Sequence, residues 1–316
     1  MAKTKEISRR IKSVTSTKKI TRAMEMVAAS KMRKAIEAVL KTRTYANLSW
    51  ETVLHLSKNS KNQSKNSLHP LLAKRSEIKK VAVILITSNR GLCGGYNSAI
   101  INKVKESIKK YPDVPAEFIL VGKKGEVIYN QKYKVAAEFP KSDLLFDAQE
   151  VEPIVSLAIQ DYLSGKYDKV FVAYTDFVSA VKQIPRMKQL LPVDIESEDG
   201  YLGIVADPKV SVDKKLIIEK EKKHLDSQSG QEYIFEPNPE EVLDKMIPRL
   251  VAIQIYQAML EANASEHSAA MSAMHQATEA ATDMVKELTL FYNKARQAGI
   301  TAEIAEISAG ANALAD

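Results

Sequence analysis

Two long stretches, one at each end of the chain, constrain the fold most. Residues 1–53 contain neither glycine nor proline. Apolar or small residues recur there mostly three and four positions apart, which is the spacing of one helix face. The predicted stripe consists of Ile7, Ile11, Val14, Ile20, Met24, Val27, Met32, Ala35 and Val39. A single helix over residues 2–56 would be a rod of roughly 75 Å, much longer than an average globular helix.

The C-terminal stretch predicts a second long helix, over residues 238–315. Asn238 suits the N-cap, Pro239 suits the first helical position, and Glu241 follows the cap by three residues. Steps of three and four then alternate through Met271, Met274, Thr278, Ala281, Val285, Leu288, Tyr292, Ala295, Gly299 and Ala302. This heptad seam predicts a left-handed coiled coil. We expect a kink at Pro248, because proline lacks the backbone donor that a helix interior uses.

The two ends carry opposite charge. Residues 1–45 hold 13 Lys/Arg against 3 Asp/Glu, whereas residues 238–316 hold 5 against 11. Opposite charge favours pairing of the two helices, or contact of the basic end with an acidic partner. Since one helix leads into the middle of the chain and the other leads out, the pairing should be antiparallel.

The middle of the chain has a different sequence pattern, in which predicted strands alternate with predicted helices. The continuous apolar run at 81–87 predicts a fully buried strand. Further strands are predicted over 117–121, 135–139, 169–175 and 178–191, and helices over 97–110, from 122 and over 151–163. This alternation predicts a small Rossmann-like α/β domain with a mainly parallel sheet.

The predicted fold class is therefore α/β, with a long antiparallel coiled coil of the terminal helices and the small domain between them. The expected boundaries are an N-terminal helix over 1–57, a linker over 58–77, an α/β domain over 78–236 and a C-terminal helix over 237–316. Within them, 57–67 is polar and of low complexity and predicts a flexible loop. Residues 194–232 predict a surface excursion, followed by a short strand at 233–235.

No set of residues suggests catalysis, and we predict no cofactor and no metal site. The glycine-rich segment 88–95 follows a buried strand, but its spacing matches neither the dinucleotide nor the P-loop fingerprint, which favours a structural turn over a nucleotide site. A nucleophilic Cys93 would need a nearby histidine. His267 and His275 are eight positions apart, not the four of a metalloprotease helix.

Two alternatives remain open at this stage. The basic residues of 1–45 could make the chain a coiled-coil adaptor for nucleic acid, with salt-sensitive binding, although no aromatic side chains interleave with them. A nucleotide-dependent enzyme using 91–95 would bind nucleotide stoichiometrically. The longest apolar run is too short to span a membrane, and the N-terminus does not look like a secretory signal. These features predict an intracellular protein.

Three strings, in order along nearly the whole chain, resemble one family. They are KITRAMEMVAASKMR at 19–33, SNRGLCGGYN at 88–97, and YNKARQAGIT followed by EIAEI at 292–307. All three resemble the gamma subunit of F-type ATP synthases.

The resemblance implies a rotary central stalk. Its coiled coil would penetrate a hexameric ring of three alpha and three beta subunits. Its α/β domain would form the foot, resting on the epsilon subunit and the membrane ring of c subunits. Proton or sodium flow would turn this stalk, present as a single copy, and so drive ATP synthesis, or run in reverse with hydrolysis. The subunit itself would perform no bond chemistry and would sit peripherally at the cytoplasmic face of the inner (plasma) membrane, without a span.

The resemblance also implies roles for particular residues. The implied contacts with a beta subunit are Met24, Lys31, Arg33, Lys34, Arg296, Gln297 and Thr301. The first four would face an acidic lever segment, and the last three a catch loop. The turn of the foot domain would be formed by Arg90, Gly91, Gly94 and Gly95. A shaft turning in a close-fitting bore also calls for small side chains at its tip, as in the alanines from Ala302 to Ala315.

Overall fold

The computed structural model describes residues 2–63, 69–73, 75, 77–109, 112–131, 133–144, 147–193 and 239–315. The helices are α1 (Ala2–Gln63), α2 (Tyr96–Lys109), α3 (Glu152–Leu163) and α4 (Pro239–Ala315). The strands are β1 (Val81–Ile86), β2 (Ala116–Val121), β3 (Lys134–Phe139), β4 (Lys169–Phe177) and β5 (Gln183–Leu191). Short 3-10 helices span Lys123–Gln131 and Ala148–Val151.

Two compact units divide the chain. One consists of Met1–Ala28 with Ala270–Asp316, and the other of Ala29–Ala269. We call the first the coil unit and the second the foot unit. The long helices α1 and α4 contribute to both. The domain boundaries expected from the sequence follow the helix ends instead, and they stay predictions.

The foot unit is built on a five-stranded sheet of order β3-β2-β1-β4-β5. The first four strands are parallel, and β5 pairs antiparallel with β4. The prediction of a mainly parallel sheet is therefore confirmed. Strand β1 is central and almost wholly buried, as its unbroken run of apolar residues indicated.

Each face of this sheet carries its own apolar core. One face packs against α3, part of α1 and the first half of α4, with Ala35, Val39, Ile84, Val172 and Val251 among its buried members. The other face packs mainly against α2. The foot unit thus buries its sheet on both sides, which is the usual condition for parallel strands.

Helix α1 is longer than the sequence predicted. It continues to Gln63, so the loop expected over 57–67 is wrong for its first seven residues. Residues 64–68 lie outside the described residues, as do the predicted cap Asn238, the excursion 194–232 and the strand 233–235.

Helix α4 is continuous from Pro239 to Ala315 and passes through Pro248. The kink expected there stays a prediction. The α-helix expected from residue 122 is a 3-10 helix instead.

Candidate functional site

The coil unit pairs α1 with α4 along a narrow seam. The Thr21 and Thr278 hydroxyls are 2.8 Å apart, and Glu25 Oε1 lies 3.1 Å from His275 Nδ1. Since residue numbers fall along α4 as they rise along α1, the two helices are antiparallel, as predicted. The α4 seam is confirmed from Met271 to Gly299, where its members are buried or half-buried.

The α1 side of that seam differs from the prediction. Ile20 and Val27 are exposed by 57% and 56%, and Met24 by 39%, so placing them on the pairing face was wrong. The residues at the seam are Ile7, Ile11, Val14, Lys18, Thr21, Glu25 and Ala28, which are half-buried or buried.

A signal for this register was present in the sequence. The seam positions alternate in steps of four and three without a break, which is the heptad rule. Following apolar residues alone shifted the prediction onto the neighbouring face from Ile20 to Val27, whereas its last members, Ala35 and Val39, are buried. The structure therefore leaves a row of large apolar side chains on the outer face of α1.

The end of α4 is exposed on all sides. Every residue from Ile300 to Ala309 is exposed. Among them, Ile300, Ile304 and Ile307 are spaced four and three apart and have exposed fractions of 49%, 62% and 72%. The sequence analysis stressed the alanines of this tip and missed its isoleucine stripe, although the spacing showed it.

The implied beta-contact residues fall into three groups. Met24 belongs to the outer face of α1 in the coil unit. In the same unit, Arg296, Gln297 and Thr301 are exposed near the end of α4, and the Thr301 hydroxyl donates to the carbonyl of Gln297 at 3.0 Å.

The third group belongs to the foot unit. Arg33 and Lys34 are exposed there. Lys31 is not free, because its ammonium lies 2.7 Å from Asp143 Oδ2. This hydrogen bond from Lys31 is the main cause that lowers the pKa of Asp143.

The glycine-rich segment forms a turn between β1 and α2. Gly94 has a φ of 55°, in the left-handed region that glycine adopts without a steric penalty. Asn97 ties the turn together, since it accepts from the Ser88 amide at 3.0 Å and donates to the Ser88 hydroxyl at 2.7 Å. Arg90 and Gly91 are exposed at its tip.

Cys93 lies inside this turn and is only 2% exposed. Burial raises the pKa of its thiol, which disfavours the reactive thiolate. Its polar neighbours are Ser88 and Asn97, and neither is a general base. The geometry therefore gives no support to a nucleophilic cysteine.

Two buried acids face each other in the foot unit. Asp176 at the end of β4 and Glu261 on α4 are both fully buried. Burial, followed by the charge of Asp176, raises the pKa of Glu261 well above its ordinary value. Arg186 Nε lies 2.8 Å from Asp176 Oδ2. The neutral form of Glu261 can donate its proton to Asp176, so that one proton serves both groups.

The described part of the chain contains neither a cluster of metal-ligating side chains nor a membrane-crossing helix. Nowhere in it do three or more His, Cys, Asp or Glu side chains gather as a set able to hold a metal ion. None of its helices joins the length and the apolar character that a membrane crossing requires.

Comparison with known proteins decides the family. A protein-family model described as ATP synthase matches residues 3–314. The gamma chain of ATP synthase from Chlorobaculum parvum is 36% identical over 98% of this chain and 98% of its own length. That from Herpetosiphon aurantiacus is 39% identical over 99% of both chains. The chain belongs to the ATP synthase gamma-chain family.

Chains in solved ATP synthase assemblies share the fold. A chain in the OSCP, F1 and c-ring assembly of Euglena gracilis mitochondrial ATP synthase matches 99% of this chain and 95% of its own length, with a TM-score of 0.61 at 16% identity. A chain of the central stalk and c-ring assembly from Tetrahymena thermophila matches 82% of this chain and 99% of its own length, with a TM-score of 0.55 at 24% identity.

Proposed function

We propose that this chain is the rotating central stalk of an ATP synthase, which couples ion flow through a membrane c-ring to catalysis in an alpha and beta ring. The observation that carries the proposal is the coil unit. It has a narrow, mostly half-buried seam in which Lys18, Thr21 and Glu25 interrupt the apolar positions, while large apolar side chains lie exposed on its outside. Large exposed apolar surfaces mark sites of contact with other proteins.

The tip of α4 enters the bore of that ring. Its stripe of Ile300, Ile304 and Ile307 would meet an apolar sleeve, and the alanines between them keep the helix slim. An apolar sleeve fits a rotating tip well, because apolar contact is non-directional and does not select one angular position.

The polar contacts select angular positions and transmit force. Arg296, Gln297 and Thr301 are the proposed partners of a catch loop of beta, and Arg33 and Lys34 of its acidic lever segment. Met24 would lie against the same lever segment. Lys31 would have to exchange its contact with Asp143 for one with beta. We therefore assign the main contribution to this interface to Arg33 and Lys34.

In this proposal the chain makes and breaks no bonds. Its orientation changes the nucleotide affinity of each beta subunit in turn, and nucleotide binding biases its orientation by the same free energy. The complex would hold one copy, with the foot unit on epsilon and the c-ring, peripheral at the cytoplasmic face of the inner membrane. Nothing in the described structure favours nucleic-acid binding.

Reconstitution tests the proposal. The chain is mixed with alpha and beta subunits from the same source, and native mass measurement and ATP hydrolysis are followed. We expect one copy per alpha and beta hexamer, and weakened hydrolysis for a variant carrying Arg296→Ala and Gln297→Ala. Lys286→Ala is the matched control, since Lys286 is exposed on the same helix and, among the described residues, pairs with Asp283 of that helix.

Two outcomes would contradict the proposal. One is a chain that stays apart while the same alpha and beta subunits assemble with a gamma chain of a relative. The other is a complex in which the double variant and Lys286→Ala behave alike.

A further inference from the structure

A seven-residue stretch of α4, residues 262–268, is surrounded by other parts of the foot unit. Six of the seven residues are buried and Glu266 is half-buried. Six make polar contacts with segments outside the helix. We call these contacts the collar.

The first part of the collar is the segment 140–144, which follows β3. Asn263 Nδ2 donates to the carbonyl of Ser142 at 3.0 Å. His267 Nε2 lies 3.0 Å from the carbonyl of Asp143. Because a carbonyl can only accept, this nitrogen carries the proton. Burial lowers the pKa of His267, which favours the neutral ring with that single donor.

Ion pairs also hold the segment 140–144 in place. The Lys141 ammonium, in a residue only 4% exposed, pairs with the Glu266 carboxylate. Asn89 holds the backbone of Lys141 by donating to its carbonyl at 2.6 Å. On the other side, Asp143 pairs with Lys31 of α1. One short segment therefore holds both long helices.

The second part comes from β4 and the turn before β5. Ser265 donates to the carbonyl of Thr175 at 2.9 Å. Ser268 donates to the carbonyl of Ala180 at 2.7 Å, and its hydroxyl accepts from Gln183 Nε2 at 3.1 Å. The third part comes from α2, where the hydroxyl of its first residue, Tyr96, donates to the carbonyl of residue 262 at 3.2 Å.

These contacts encircle the helix. Successive residues of an α-helix are about 100° apart around its axis. The six contacting positions, 262, 263 and 265–268, therefore point in directions spread around the whole circumference. The remaining residue, Ala264, is fully buried in the apolar core. No side of the helix is left without a contact in this stretch.

Hydrogen bonds and ion pairs around a helix resist its rotation in a way that apolar packing does not. Apolar contact is non-directional, and it resists rotation of a helix about its axis only through shape. A hydrogen bond weakens steeply when its angle is lost. Turning α4 in place would break most collar contacts together and leave their partners buried and unpaired, at a cost for each of them.

We propose that the collar fixes the rotational phase of α4 on the foot unit and carries torque from that unit into the helix. This rests on the proposed function, since only a stalk has torque to carry. Asn263, Ser265, His267 and Ser268 are then positioning residues that set the angle at which the rest of α4 is presented to the alpha and beta ring.

The test twists the foot of an assembled complex. An alpha and beta hexamer holding this chain is fixed to a surface, and a magnetic bead is attached to a cysteine introduced by Leu163→Cys, at the exposed end of α3. Cys93 is buried, so a thiol reagent labels only the new site. The rotation of the bead is recorded with ATP present, first freely and then under a fixed opposing torque.

The collar variant carries Asn263→Ala and Ser268→Ala. We expect its free rotation and its ATP hydrolysis to match those of the unsubstituted complex. Under opposing torque, slips of the bead that are not accompanied by ATP turnover should become roughly tenfold or more frequent, because each lost buried contact weakens the engaged state. Thr282→Val is the matched control, since within the described structure the Thr282 hydroxyl donates to the carbonyl of Thr278 on its own helix.

Slip frequencies that match those of the unsubstituted complex and of Thr282→Val would overturn the proposal. If the double variant fails to assemble, His267→Leu and His267→Gln replace it. Glutamine can still donate to the carbonyl of Asp143, so His267→Gln should slip as rarely as the unsubstituted complex. Leucine cannot donate, so His267→Leu should slip more often. Equal slip frequencies in the two variants would also overturn the proposal. If the unsubstituted chain neither assembles nor turns the bead, it is the proposed stalk function that fails.

Discussion

The coil unit and the foot unit hold their helices in opposite ways. In the foot unit, apolar side chains from two long helices and a five-stranded sheet are almost completely buried, and polar contacts surround α4. In the coil unit the same two helices share a thin seam. Of its members only Ala28, Met274, Thr278 and Ala281 are buried, and Lys18, Thr21 and Glu25 occupy positions that coiled coils normally give to apolar residues. The foot is stabilised from within, whereas the coil leaves large apolar side chains exposed, as the proposed function requires.

The largest contrast should appear when equivalent apolar residues are truncated. Ile84 in β1 is fully buried, and we expect Ile84→Ala to lower the free energy of unfolding by about 4 kcal/mol through lost burial and a cavity. Ile11 on the α1 seam is only half-buried, so Ile11→Ala should cost about 1 kcal/mol. Urea unfolding of the full chain measures the first, and hydrogen exchange of α1 amides the second. Equal costs would contradict the contrast.

A backbone position in the foot should be nearly as sensitive. Gly122 has a φ of 93°, and a Cβ there would lie 2.3 Å from the carbonyl oxygen of Thr87. We expect Gly122→Ala to destabilise the chain by about 3 kcal/mol, from the clash and the strained φ together. Gly91 has open space around it, so Gly91→Ala should change the free energy of unfolding by less than about 0.5 kcal/mol. The comparison fails if both substitutions cost the same in urea unfolding.

The acid pair gives the foot a pH dependence. The pKa of Glu261 is raised in the folded state above its ordinary value of 4.5, so the folded state holds a proton that the unfolded state releases. Stability should therefore fall as pH rises from that ordinary value towards the raised one, by up to about 1.4 kcal/mol per pH unit. The charges of Arg186 and Lys188 lower the pKa of Glu261 and so shorten the pH range over which this loss occurs.

Glu261→Gln should remove that slope, because the amide keeps a donor for Asp176 and carries no titrating proton. Urea unfolding at about pH 5 and pH 8 measures the change. Glu279→Gln is the control, since its carboxyl is exposed, and its slope should equal that of the unsubstituted chain. A Glu261→Gln variant with an unchanged slope would show that this carboxyl does not retain its proton.

The smallest effect should lie in the coil. Thr21→Val and Thr278→Val each leave one hydroxyl of the pair without the other, whereas the double substitution removes both. We expect a coupling of about 1 kcal/mol in a double-mutant cycle. Hydrogen exchange of the amides around Thr278 measures it, and a coupling of zero would mean that the seam does not depend on this contact.

The sequence predicted the foot better than the coil, for a physical reason. The buried strand at 81–87 and the mainly parallel sheet were readable because a strand buried on both faces must be apolar throughout. The α4 seam was readable because its heptads are regular. On α1 the strongest apolar signal, Ile20 with Met24 and Val27, belongs to an outer face. Apolar periodicity identifies the faces of a helix that are suited to contact. It does not identify which of these faces packs against the rest of the same chain.

The collar shows a second limit of prediction from sequence, this time for polar contacts. Its donors and acceptors come from segments far apart in sequence, and several acceptors are backbone carbonyls that every residue possesses. No spacing rule brings Asn263 to Ser142 or Ser268 to Ala180. Lys31 is an instructive case, because the family string around it suggested an outward contact while Asp143, more than a hundred residues later, holds its ammonium.

The core shared by α1, the sheet and α4 also orders events during synthesis. The sheet is complete once β5 has emerged from the ribosome, but the residues that cover much of one of its faces, such as Ile247, Val251 and Ile255, follow only after β5 along the chain. Contacts between segments so distant in sequence form slowly, and exposed apolar faces invite aggregation in the meantime. A nascent chain released before α4 is finished would leave part of this apolar sheet face uncovered, so the last helix closes the fold as well as extending it.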